Sequence, residues 1–244
     1  LAGGTPIQNV GAYGQEVASV IEHVTVFDRD RGSVQRLPAA ACGFAYRASR
    51  FKGPDAGRFV VCEVVFRLEK GLPTTTYADV AAALKRGGAA QPTVGDVRAA
   101  VLDIRRRKGM VIDDADPDTR SAGSFFTNPI VSAAAAEQIA SRAGVAPPSF
   151  AQPDGTVKLP AAWLIERAGF ARGQSDGTVG LSTKHTLAIV TRDGARAADV
   201  VRLASRVARR VEDTFGVRLR PEPVLLGFGT GADADADYLL GARN

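Results

Sequence analysis

The chain has 244 residues, of which 45% are hydrophobic and 23% charged, and it carries a net charge of +5. That profile suits a globular protein with one large core or two modest ones, and no apolar run reaches the length needed to span a bilayer. Two cysteines and two histidines exclude a disulfide framework and a Cys/His zinc site; Cys42 and Cys62, each beside apolar residues, are expected as buried free thiols in a reducing cytoplasm.

The chain opens on Leu-Ala-Gly-Gly-Thr with a dense motif directly behind it, which predicts the later part of a longer protein. Residues 6–14 (PIQNVGAYG) are glycine-rich and lack a helical period. They read as a loop whose backbone amides either meet a ligand or serve an ordinary turn-rich connection. Residues 17–27 and, more clearly, 59–68 read as strands. Between them Tyr46 and Arg47 stand among apolar residues. A guanidinium there needs an acidic or carbonyl partner, belonging either to the protein or to a substrate. Residues 93–108 read as a helix capped by Thr93, with Asp96 in its first turn and Val94, Val97, Val101 and Ile104 on one face. The Arg105–Lys108 run complements the dipole at the helix end and equally suits an anionic ligand such as a nucleotide diphosphate. It lacks the interleaved aromatics of a single-strand nucleic-acid site.

Residues 111–120 form an acidic loop leading to Ser-Ala-Gly-Ser-Phe-Phe-Thr-Asn-Pro at 121–129. Gly123 allows close backbone approach, and Phe125 and Phe126 anchor the segment, so the Ser124 hydroxyl is held in a turn entering a strand at 128–131. A glycine-serine turn above core phenylalanines also serves plain packing. Residues 132–142 read as a helix capped by Ser132 and stopped by Gly144, residues 145–153 as a proline-rich linker, and residues 160–169 as a short helix with Trp163 and Ile165 in the core. Residues 172–180 read as a loop and 186–191 as a strand. Residues 195–215 form the clearest helix, with Val200, Leu203, Val207, Val211 and Phe215 on one side. Glu222 lies between Pro221 and Pro223, which stiffen its backbone, and residues 229–244 read as a mobile tail. Strands and helices mix without sustained βαβ alternation, so the fold class is α+β. Neither a phosphate-cradling Gly-x4-Gly-Lys loop nor a Gly-x-Ser-x-Gly elbow is present.

The loop at 6–14, Tyr46-Arg47 with Phe51-Lys52, Arg107-Lys108, the 123–129 segment, Ala162-Trp-Leu-Ile165 and Pro221-Glu222 occur together in this order. In this the chain resembles the UDP-N-acetylenolpyruvoylglucosamine reductases, from about Gly4 to Gly227. The resemblance implies a flavoprotein of peptidoglycan synthesis that uses FAD and NADPH to reduce UDP-N-acetylglucosamine enolpyruvate to UDP-N-acetylmuramate. It implies Ser124 as proton donor, with Arg47 and Glu222 as the other catalytic residues. Gly4, Ile7, Val10 and Gly11 correspond to its flavin-contacting turn, and Tyr13, Tyr46, Tyr77, Lys108 and Asn128 to substrate-binding positions. Residues 1–108 would be the last part of an FAD-binding region of the PCMH type with a substrate-covering loop. Residues 109–220 would be an α+β substrate-binding domain, and 221–244 a segment carrying the active-site glutamate and a flexible tail. The expected protein is a cytoplasmic monomer with no nucleic-acid or membrane partner. Most of the family's N-terminal flavin-binding region is not in this sequence, so the full-length protein is expected to be the reductase and this chain alone to hold FAD poorly or not at all. A non-catalytic UDP-sugar-binding fragment is the alternative.

Overall fold

The computed structural model describes residues 2–88, 90–228, 231 and 233–241. The chain divides into two compact units, Leu1–Ile104 and Arg105–Asn244. The mixture of helices and antiparallel sheets is α+β, as the unsustained βαβ alternation implies. No described helix is long and apolar enough to cross a membrane.

The first unit opens with a 3-10 turn at Ala2–Gly4 and a small hairpin of β1 (Gly11–Ala12) and β2 (Gln15–Glu16). A second 3-10 turn, Val17–Ser19, takes the start of the expected strand, so β3 runs only over Ile21–Asp28. β3 is the middle strand of an antiparallel sheet, between β4 (Ser33–Pro38) and β5 (Phe59–Phe66). Its period of two turns Val24 and Val26 inward onto Ile21, Cys42 and Phe51. Asp28 is buried at the end of that inward row. Two hydrogen bonds from Arg58, of 3.0 and 2.7 Å, hold its pKa down to about 2. Cys42 is buried as expected, but Cys62 is exposed. The pairing skips from Glu63 to Val61 opposite Thr25 and Val26, leaving Cys62 as the extra residue of a bulge. Helices α1 (Ala78–Arg86) and α2 (Val94–Arg107) enclose a small core of Val80, Leu84 and Ile104. Thr93 and Asp96 cap α2 reciprocally: each backbone N–H donates to the other's side chain.

The second unit contains β6 (Ser121–Ser124), β7 (Ile130–Val131), α3 (Ala133–Ala143), β8 (Phe150–Ala151), β9 (Val157–Lys158) and α4 (Ala161–Arg167). It continues with β10 (Ser175–Asp176), β11 (Val179–Leu181), β12 (Ala188–Thr191), α5 (Ala197–Phe215) and α6 (Ala234–Leu240). One antiparallel sheet has the order β10-β11-β12-β6 and a second the order β7-β9-β8. α5 lays Leu203, Val207, Val211 and Phe215 into the core, all buried, while Val200 is only partly covered. Each such side chain contributes roughly 1.5–3 kcal/mol by leaving water.

Four readings of this half are corrected. Ser124 ends a strand instead of sitting in a turn before one, because residues 121–124 pair with β12. The proline-rich stretch at 145–153 contains β8, whose Phe150 and Ala151 pair with β9 where no proline interrupts. Residues 172–180 hold the β10–β11 hairpin, which turns on Gly177 at φ +66°. The expected mobile tail contains α6: Asp233 caps it, Ala236 and Leu239 are buried, and it packs on α5. Tyr238 donates to Glu212 at 2.6 Å, with the Arg209 and Arg218 guanidinium carbons 3.9 and 4.4 Å from its ring centre. Residues 229, 230, 232 and 242–244 of that tail lie outside the described residues.

Candidate active site

In the first unit the opening loop is built around Asn9, which sequence reading passed over. Asn9 is buried, at φ +45°. Its amide nitrogen donates to Glu16 Oε2 (2.7 Å) and to the Ala45 carbonyl (3.1 Å), and its oxygen accepts from the Ala18 N–H (3.0 Å). The signal was available: Asn tolerates left-handed backbone and can satisfy several main-chain groups at once. Asn9→Ala should destabilise this unit by about 2 kcal/mol, since buried groups lose their partners; denaturant unfolding monitored within the unit measures it.

Ala45 and Ala48 exchange two backbone hydrogen bonds of 3.1 Å, closing a tight turn that projects Tyr46 and Arg47. Arg47 takes the left-handed conformation, φ +52°, which is uncommon for a residue with a Cβ. Its Nη2 donates to the Gly11 carbonyl at 2.6 Å, and its guanidinium carbon lies 5.3 Å from the Tyr46 ring centre. The loop and the arginine are thus joined. A Cβ on Gly11 would sit 2.8 Å from Glu16 Cγ, 2.9 Å from the Gln15 carbonyl oxygen and 3.2 Å from Arg47 Nη1. Gly4 differs, since a Cβ there would meet no protein atom within 4 Å. Ile7 and Val10 are exposed on the same loop. Ser49, also missed, fixes the loop by donating to the Ile7 carbonyl at 2.5 Å.

Tyr13, at φ +53°, meets Tyr77 edge to face with ring centres 5.4 Å apart. Gln15 reaches Thr74 at 3.2 Å, tying the segment before Tyr77 to the same hairpin. Tyr13 also lines a cleft of about 980 Å³ whose walls include Ile21, Leu72, Val80 and Val101.

In the second unit Ser124 lies opposite Ala188, and the Phe125 N–H donates to the Leu187 carbonyl at 2.8 Å. Phe125 and Phe126 are buried, edge to face at 5.1 Å, as the sequence implies. Gly123 is needed for its φ of +78°; a Cβ there would meet nothing within 4 Å. The proline-flanked segment comes to this strand's end. The Glu222 N–H donates to the Phe125 carbonyl at 2.8 Å, the Thr127 N–H donates to the Arg220 carbonyl at 3.0 Å, and Phe126 bridges Pro221. Glu222 is therefore tied by its backbone to Phe125, the residue after Ser124, although the two segments lie far apart in sequence. Asn128 uses its amide oxygen to accept from the Ala161 N–H at 2.9 Å, which fastens the start of α4.

Lys108, half-buried just after α2, belongs to the surroundings of His185, a residue the sequence offered no role. Burial lowers the His185 pKa below its ordinary value, and the positive charges of Lys108 and Arg172 lower it further against the opposing pull of Glu166. The acidic loop contributes Asp118, which is buried and accepts from Ser182, Thr183 and Arg192. Burial pushes its pKa up, but those hydrogen bonds outweigh burial and leave it below the ordinary carboxylate value. Its stabilising effect is complete above the unfolded carboxylate pKa and is lost as pH falls through the depressed folded value. Thermal melts across acid pH should show the second unit weakening there, and Asp118→Asn should flatten that dependence.

Among the positions named from the sequence, Gly11, Arg47 and Tyr46 cluster, Tyr13 and Tyr77 pair, and Ser124 directly precedes the residue whose carbonyl accepts from Glu222. Residues 116–226 match the family profile described as the UDP-N-acetylenolpyruvoylglucosamine reductase C-terminal domain. Over those residues the chain carries that domain. Over 233 residues it is 52% identical to the UDP-N-acetylenolpyruvoylglucosamine reductase of Thermobifida fusca, covering 92% of this chain and 65% of the relative. The reductase of Salinispora arenicola is 51% identical over 231 residues, covering 92% of this chain and 63% of the relative. The chain thus spans less than two thirds of the length of these reductases. A crystal structure of the reductase from Thermus caldophilus aligns at a TM-score of 0.53 and 24% identity, over 90% of this chain and 58% of that one. That likeness supports the fold, and the sequence relatives support the kinship read from the motifs.

Proposed function

We propose that the chain holds and protonates the substrate in an NADPH- and FAD-dependent reduction of UDP-N-acetylglucosamine enolpyruvate to UDP-N-acetylmuramate, a step of peptidoglycan synthesis. The observation that carries this reading is the backbone junction between Phe125 and Glu222, which brings the Ser124 strand end and the proline-flanked glutamate together. A module that only bound a UDP-sugar would not need that serine. FAD reduced by NADPH would supply the hydride that adds to the terminal vinyl carbon. The opening loop suits such a group: Ile7 and Val10 offer apolar side chains, Gly4 leaves room beside the backbone, and Asn9 keeps the loop rigid.

The remaining roles fall to side chains. The guanidinium of Arg47 is matched to a carboxylate, which it polarises as charge develops there. Glu222 is assigned to stabilising the enolate that forms as the vinyl carbon is reduced. Ser124 holds a proton at Oγ and delivers it to the carbon beside the carboxylate. A serine hydroxyl is a weak acid, so its placement decides its effect. Lys108 offers an ammonium to the diphosphate, Asn128 its amide nitrogen, and Tyr13, Tyr46 and Tyr77 aromatic surface to the nucleotide. Titrating the enolpyruvyl substrate into the chain with and without FAD, followed by NADPH, tests the assignment. Binding with FAD-dependent NADPH oxidation supports it. Binding with no oxidation at saturating FAD would instead mark a UDP-sugar-binding module.

A further inference from the structure

The carboxylate of Asp118 fastens three stretches of the second unit. Its Oδ2 accepts from Ser182 Oγ (2.9 Å), the Thr183 N–H (2.7 Å) and Thr183 Oγ1 (2.7 Å), while Oδ1 accepts from Arg192 Nη2 (3.0 Å). Ser182 Oγ in turn accepts from the Lys184 N–H at 3.0 Å, and the Lys184 ammonium pairs with Asp116. These contacts set the turn at 182–187 between β11 and β12. That turn presents the Leu187 carbonyl to the Phe125 N–H and leads into Ala188, the partner of Ser124. Arg192, beyond the far end of β12, also donates to the Pro117 carbonyl at 3.1 Å. On its other side Asp118 packs against Gly109, where a Cβ would come 3.3 Å from the Asp118 carbonyl oxygen; Gly109, at φ +66°, follows Lys108 directly.

From this geometry we infer that Asp118 is a positioning residue: it sets the 182–187 turn, and through it the Ser124 strand end, while supporting the chain at Lys108. The inference rests on the reductase reading of Ser124. Only a carboxylate fits the arrangement, because all four groups facing it are donors. An asparagine would turn its own NH2 towards either Arg192 or the Ser182–Thr183 pair.

Hydrogen exchange by NMR on the chain tests this, comparing the wild type with Asp118→Asn and with Val207→Ala, a cavity control in α5. Asp118→Asn should cost the Phe125 amide and the amides of the turn about tenfold more protection than those of α5, the scale of one buried group left unsatisfied. Val207→Ala should lower protection throughout the unit. The chain has two histidines, so the His185 titration is readily followed; its midpoint should rise in Asp118→Asn as the turn loosens, and stay put in Val207→Ala. Ser182→Ala removes one of the four bonds together with the acceptor of the Lys184 N–H, and serves as a variant that keeps the carboxylate, with a smaller selective loss, should Asp118→Asn not fold. Uniform loss as in Val207→Ala, or an unchanged Phe125 amide and His185 midpoint, overturns the inference. At saturating substrate, where the support of Lys108 no longer limits binding, Asp118→Asn added to Ser124→Ala should lower kcat no further, and an additive loss in kcat contradicts the inference. If Ser124→Ala alone leaves turnover intact, the reductase reading fails, while exchange and titration still report whether Asp118 sets the turn.

Discussion

Ser124→Ala is expected to lower formation of UDP-N-acetylmuramate by about a hundredfold or more, the usual range for loss of a positioned acid, while NADPH still reduces the flavin. The split follows from the proposed chemistry, since the serine proton is needed only after hydride has reached the substrate. The substitution should fold normally. Ser124 is half-buried, and its backbone position is set by β12 and by the Glu222 junction rather than by its hydroxyl. Rapid mixing resolves the two half-reactions. Equal losses in both would assign Ser124 to folding or flavin binding, and no loss in either would remove it from the chemistry.

Gly11→Ala should have the second-largest effect. The added methyl must displace the Gln15 carbonyl across the β1–β2 hairpin or push away Arg47, whose Nη2 is bonded to the carbonyl of Gly11 itself. The Glu16 side chain can swing aside, but the Gln15 backbone cannot do so without opening the hairpin. Overpacking of this kind costs about 1–3 kcal/mol. Misplacing the guanidinium should lower turnover by roughly tenfold or more on top, because small errors in placement carry large rate penalties. Gly4→Ala is the matched comparison: it meets no protein atom, so its melting temperature should match the wild type. A Gly11→Ala protein with wild-type stability and turnover would show that Arg47 does not depend on this loop.

Elements with a strong period were legible in the sequence. α5 and α2 follow from their apolar stripes and caps, and the Phe125–Phe126 anchor and the Ser132 cap lie where their residue types place them. The two-residue strands β8 and β10 were not legible. They are too short to show alternation, and long-range pairing rather than propensity defines them. The tail helix was hidden for a related reason. Its composition is that of an unstructured segment, yet Leu239 reaches the core and Tyr238 finds two arginines whose proximity depends on how the chain folds. At the candidate site, the sequence pointed to residues with reactive, charged or aromatic side chains and not to those that position them. Asn9 and Asp118 look like ordinary polar loop residues until their hydrogen bonds are traced. The junction of Glu222 with Phe125 spans so many positions that no local pattern could reveal it.

The most direct test is mass analysis of the enolpyruvyl substrate after incubation with the chain, saturating FAD and NADPH. The expected product is UDP-N-acetylmuramate, heavier than the substrate by the mass of two hydrogens, formed one for one with the NADPH consumed and absent without FAD. NADPH oxidised with the substrate unchanged, or substrate bound by the FAD-saturated chain and left unreduced, would contradict the reductase reading.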